Sequence, residues 1–156
     1  MVLGGVGIMT AKEYLRQLKT LDNVINAKLL EKERMRALAT RVSTNLTEKV
    51  QGGVVGGFEN TLIKIDELEK SIDVDVDKLV GLRDKARSLI DKLSDNNYKA
   101  ILSMYYVSNA TFEQMAEYMN YSVAGIFKMH GNAISEFNDI YQKNVKSEKS
   151  ENESVI

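Results

Sequence analysis

The sequence predicts an all-α protein: a long antiparallel helical hairpin followed by a trihelical helix-turn-helix domain. Three observations predict it. The 156 residues include no Pro, where average usage of about 5% would give roughly eight. Apolar residues recur in alternating steps of four and three over two long stretches, the heptad of packed helices. A third stretch carries helix caps and a left-handed turn residue at the spacing of two short, closely approaching helices.

Composition excludes several functions. The chain is 44% apolar and 28% charged, with a formal net charge of −1. It has no Cys, so disulfides, thiolate metal sites and Cys nucleophiles are ruled out. It has one His, which rules out a multi-His metal centre. No cofactor and no metal is expected. A near-neutral charge argues against a non-specific nucleic-acid coat, which needs a large positive excess. No segment reaches the roughly 18 to 20 apolar residues of a membrane span, so no membrane partner is expected. Residues 1–9, MVLGGVGIM, are apolar but lack the basic start and the length of a secretory signal. The expected location is the cytoplasm, and residues 1–9 are expected to be a disordered leader. Residues 1–8 are either a translated ribosome-binding region ahead of a start at Met9 or a natural N-terminus.

The hairpin is expected over 10–94. Its first arm carries Tyr14, Leu18, Leu21, Ile25, Met35, Ala39 and Val42, with Lys28 and Lys32 filling two places in the series. Residues 43–57 hold four Gly and no sustained period, so they are expected to form the tip loop. The second arm carries Phe58, Leu62, Ile65, Glu69, Ile72, Val76, Leu79, Arg83, Ala86, Ile90 and Leu93. A short connection makes the arms antiparallel neighbours. Pairing residues whose numbers sum to about 100 sets Lys32 against Glu69, and an opposite-charge pair is the economical way to place two charges in a seam. In that register Lys28 snorkels toward solvent and Asp73. A second apolar stripe (Leu15, Leu29 and Leu38; Leu68, Leu82 and Leu89) needs cover from the C-terminal domain, a partner or a second copy. A homodimer through the hairpin is the expected solution. The run Asp73, Asp75 and Asp77 reads as a solvated face, because residues two apart on a helix point different ways.

The C-terminal domain is expected over 95–144, with 145–156 a disordered polar tail. Ser94, Asp95 or Asn96 caps a helix through Tyr98, Ile101, Leu102, Tyr105 and Tyr106. Thr111 caps a second helix with Glu113 and Gln114 in its first turn. Asn120 suits a left-handed turn, and Ser122 caps a third helix carrying Ile126, Met129, Ala133, Ile134 and Phe137 on one face. A small residue at Ala116, the turn at Asn120, and apolar Ile126 and Met129 make the helix-turn-helix pattern. Tyr121 is expected beneath the turn. Tyr105, Tyr106, Tyr118 and Tyr121 are expected to pack, and Met104, Met115, Met119 and Met129 to fill the core.

The segment YKAILSMYYVSNATFEQMAEYMNYSVAGIFKMHGNAISEF resembles region 4 of sigma-70-type factors. It resembles more closely the small sigma region 4-like proteins of Gram-positive phages and prophages. These include ArpU/RinA-type late-gene transcription regulators and a related family with an N-terminal helical pair, which also resembles this chain across MTAKEYLRQLKTLDNVINAKLLEKERMRALAT and IDELEKSIDVDVDKLVGLRDKARSLIDKL. The likeness spans about 9–143. It implies control of phage transcription through double-stranded DNA, with RNA polymerase as a further partner.

In a helix-turn-helix the start of the second helix enters the major groove. The candidate DNA contacts are therefore Ser122, Val123, Ala124, Phe127, Lys128 and His130. The resembling proteins carry Arg or Gln where this chain has Ala124 and Gly125, and those are the types that read base edges bidentately. Here only Lys128 offers a strong donor to guanine or phosphate. Over 94–144 three Lys stand against five Asp and Glu, a net of −2, whereas DNA-reading domains are usually basic. The alternative function is thus a protein-interaction module. It would dock on RNA polymerase, a repressor or another phage protein with little direct DNA reading. His130 lacks a catalytic partner, and no enzymatic activity is expected.

Overall fold

The computed structural model describes residues 9–46 and 55–154. Residues 1–8 of the expected leader and 47–54 of the expected tip loop lie outside the described residues. The described chain is all-α: α1 (Ala11–Leu46), α2 (Val55–Ile90), α3 (Asn96–Leu102), a π-helical turn (Ser103–Val107), α4 (Phe112–Met119) and α5 (Val123–Ser154). Two helices thus extend into the expected loop, to Leu46 and from Val55. No described helix is long and apolar enough to cross a membrane.

Helix starts follow local chemistry. Thr10 and Glu13 form a reciprocal pair at the start of α1: Thr10 N donates to Glu13 Oε2 at 2.8 Å and Glu13 N donates to Thr10 Oγ1 at 3.1 Å. Asp95 opens α3 by accepting from Asn97 N at 2.7 Å. Thr111 and Gln114 make the same box on α4 that Thr10 and Glu13 make on α1. Each box satisfies two amides that have no partner inside the helix, and losing the capping side chain typically costs about 1 kcal/mol.

The chain divides into two compact units. The central unit is Leu21–Val80. In it, ion pairs join rising numbers on α1 to falling numbers on α2, so the helices run antiparallel. Lys28 pairs with Asp75 and Lys28 Nζ donates to Ser71 Oγ at 2.6 Å; Lys32 Nζ lies 3.2 Å and Arg36 Nη2 2.6 Å from Glu69 Oε1. The partner of Lys28 is therefore Asp75, not Asp73. Asp75 is half-buried, so the acidic run is not wholly a solvated face. The seam is narrower than the heptad implies. Ile25 and Ala39 on α1, and Ile65, Ile72 and Leu79 on α2, are buried, but Leu62 and Val76 remain 46% and 38% exposed. One position per heptad is sealed on α2, and the alternate one stays open because two helices cannot enclose both.

The terminal unit joins the start of α1, up to Thr20, to everything from Gly81 on. Here α5 packs on α3 and α4. Ile101, Met115, Ala116 and Ile126 form a closed cluster, bordered by Met104, Tyr105, Phe112, Met119 and Met129. Leu15, Leu18, Leu89, Ile90 and Phe137 are almost completely buried. The rings of Tyr14 and Tyr141 lie 5.3 Å apart, and Tyr14 Oη donates to Leu82 O at 3.2 Å. Both hydroxyls have raised pKa values. That of Tyr14 reaches about 12, by burial first and then by Tyr141 and Glu148; that of Tyr141 rises through burial. The expected disordered tail is helical through Ser154. No Gly or Pro follows Gly131, so nothing in the chain stops α5. Its far part is tied down by buried Tyr141 and by Lys85 Nζ, 3.2 Å from Glu148 Oε1.

Candidate functional site

The turn between α4 and α5 is built by Asn120 and Ser122. Asn120 has φ 57° and ψ 44°, and its N–H and that of Tyr121 both donate to Ala116 O. That left-handed closure satisfies a carbonyl left open at the end of α4. Ser122 Oγ then accepts from Gly125 N at 3.0 Å and opens α5. A Cβ on residue 125 would lie 3.1 Å from Ser122 Oγ. A side chain at this position would therefore press on the cap.

The candidate residues divide by environment. Val123, Ala124, Phe127 and Lys128 are exposed on the first two turns of α5, Phe127 at 68%. Ser122 is exposed, with its hydroxyl engaged in the cap. His130 sits apart from this face. It is half-buried, its Nε2 lies 3.0 Å from Tyr106 Oη, and its ring is 5.2 to 5.6 Å from those of Tyr105, Tyr106 and Phe112. Burial, then Lys12 and Lys19, lowers its pKa below the usual 6.5. Imidazole here is thus neutral near pH 7. Tyr118 and Tyr121 are 75% and 45% exposed. The expectation that both pack fails because Tyr118 lies on the outward side of α4. Tyr121 keeps a hydroxyl contact at 3.3 Å from Asn97 Nδ2.

A cleft beside this face was not anticipated. It has a volume of about 490 Å³ and is lined by Lys12, Arg16 and Lys19 of α1 and by Tyr105, Tyr106, Phe112, Phe127 and His130, among others. The π-helical turn helps to form it. It carries the consecutive Tyr105 and Tyr106, and both line the cleft. Burial pushes the Tyr106 hydroxyl up to about 12; Tyr105 adds to the rise and Arg16 opposes it. Lys19 Nζ donates to Tyr105 O at 2.8 Å and lies 3.7 Å from the centre of the Tyr105 ring. The basic row was visible in the sequence: Lys12, Arg16 and Lys19 follow steps of four and three, offset from the apolar series. Its aromatic counterpart lies some ninety residues away, and pattern alone does not join them. Among the described residues no acidic or His cluster suited to a metal ion occurs.

A family model described as a protein of unknown function, DUF1492, matches residues 39–138, more than half of the chain. No curated protein and no solved structure matches it.

Proposed function

We propose that this chain, which belongs to the DUF1492 family, is a phage or prophage DNA-binding transcription regulator with a sigma region 4-like helix-turn-helix. The observation that carries the reading is the capped turn. Thr111, Asn120 and Ser122 fix two short-spaced helix ends, and the opening of α5 presents Val123, Ala124, Phe127 and Lys128 outward on a closed core of Ile101, Met115 and Ile126. In this reading Lys128 bonds guanine or phosphate, and Val123, Ala124 and Phe127 contact thymine methyl groups. Ser122 and His130, the latter held by Tyr106, contribute at the margin. A second copy joins through the central unit, where Leu30, Ile63, Val74 and Val80 are more than half exposed. Dimerisation compensates for a weak single module, because two linked half-sites bind with avidity.

One observation favours a second reading. Tyr118, Tyr121, Val123 and Phe127 place four exposed apolar side chains on α4, the turn and α5, and the domain carries no excess of positive charge. A protein partner such as RNA polymerase, a repressor or another phage protein would bury those side chains. Anisotropy titration of a duplex from the region upstream of the gene, at about 50 and about 200 mM salt, separates the two. DNA binding predicts a steep salt slope, reduced by about one in Lys128→Ala. Absence of binding, with retention of purified RNA polymerase by the chain, would favour the second reading.

A further inference from the structure

We propose that the cleft between the start of α1 and the π-helical turn is a binding site for a small planar aromatic anion: a flat ring carrying a phosphate or carboxylate group. Its lining has two chemistries. Lys12, Arg16 and Lys19 form a basic row on α1, and Tyr105, Tyr106, Phe112, Phe127 and His130 supply aromatic rings. No Asp or Glu lines it. Among the described residues neither Lys12 nor Arg16 has a carboxylate partner, and Glu13, their neighbour, is turned to the N-terminal cap. Like charges one helical turn apart repel, so the row gains when an anion sits on it.

The division of labour follows from what each group already does. Lys19 is committed to Tyr105 O and Asn109 Oδ1. The anion therefore falls to Lys12 and Arg16, and the Arg guanidinium suits the two oxygens of a carboxylate or phosphate. The rings of Tyr105, Tyr106, Phe112 and His130 already pack on one another. Phe127 is 68% exposed, with its ring centre 6.0 Å from that of Phe112. It offers the open face on which a flat ligand stacks. A volume of about 490 Å³ falls within the range of about 300 to 1,000 Å³ usual for small-molecule sites. A ligand there covers Phe127, one of the proposed DNA contacts. That consequence rests on the DNA reading, whereas the site itself does not.

Calorimetric titration of the full chain in low salt, without DNA, tests the site with four probes: adenosine 5′-monophosphate, indole-3-acetate, adenosine and inorganic phosphate. The proposal expects saturable one-to-one binding of at least one ring-bearing anion; the nucleotide and the carboxylate distinguish the two sources of the chemistry. Adenosine and phosphate, each lacking half of the recognised group, should bind at least about tenfold more weakly. Lys12→Ala with Arg16→Ala should weaken the preferred probe by about 100-fold with an unchanged melting temperature, since both side chains are exposed. The proposal is overturned if neither ring-bearing anion binds saturably, if adenosine or phosphate alone binds as well, or if the double variant binds undiminished. Each of these results leaves the DNA reading where it stood.

Discussion

The two units use the same sequence device to different ends. In both, α1 and α2 contribute heptad positions. In the terminal unit Leu18, Ala86 and Ile90 are sealed to within 1% of complete burial, and even Leu15 and Leu89, off the main series, are buried. In the central unit Leu62 and Val76 stay open, as does the second stripe at Leu29 and Leu38. Of the fourteen large apolar side chains exposed among the described residues, nine lie within Leu21–Val80. The difference is a third layer. In the terminal unit α5 supplies Phe137 and Tyr141, the latter on Tyr14. A two-helix seam has no such layer and closes only a single row of side chains.

The largest expected effect tests that contrast directly. Ile126→Ala, in a fully closed cluster, should destabilise the chain by about 2–5 kcal/mol in urea melts. Leu62→Ala, at a heptad position 46% exposed, should cost under about 1 kcal/mol in a dilute sample. Equal losses would erase the distinction between the units.

The next effect concerns what covers the central unit. If a second copy does, Leu62→Lys with Val76→Lys should convert a dimer into a monomer by sedimentation equilibrium. The concentration dependence of the wild-type melting temperature should disappear with it. A wild-type chain that is monomeric at all concentrations would remove the dimer from the account.

Much of this architecture was legible. Thr111 with Gln114, Asn120 and Ser122 each announce a local hydrogen-bond problem and its solution, and such problems are solved within four residues. The Lys32–Glu69 pair was legible too, because the register that sums to about 100 sets two oppositely charged heptad positions against each other. The rest depended on distance or on competition. Asp75, one residue before the heptad position Val76, is held by Lys28, a contact that hydrophobic periodicity does not weigh. The helical tail depends on Tyr141 and Glu148 meeting residues of α1 and α2. The cleft brings Lys12 to within reach of His130, and nothing local to either residue signals it.

A smaller effect isolates the ring cluster of the terminal unit. His130 is the only His, and its pKa is lowered in the folded state by burial, Lys12 and Lys19. The unfolded chain therefore takes up the proton first as pH falls through about 6.5, and stability drops below that point. Urea melts at about pH 7.5 and about pH 5.5 should show this loss in the wild type and a smaller one in His130→Gln. An identical loss in both would place the titration elsewhere.

The smallest effect falls on the seam. Lys32 and Glu69 side chains are 22% and 37% exposed, where ion pairs contribute about 0–1 kcal/mol. Lys32→Met with Glu69→Leu should therefore leave stability within about 1 kcal/mol of wild type by urea denaturation. A larger loss would mean that the pair stabilises the central unit rather than merely aligning it.

The most direct test of the proposed DNA reading is an amide NMR map of the labelled full chain titrated with duplex DNA from upstream of its gene. The account predicts salt-sensitive shifts centred on Ser122, Val123, Ala124, Phe127 and Lys128, with the amides of Leu21–Val80 little changed. Shifts centred on Leu21–Val80, or no saturable change at low salt, would contradict it.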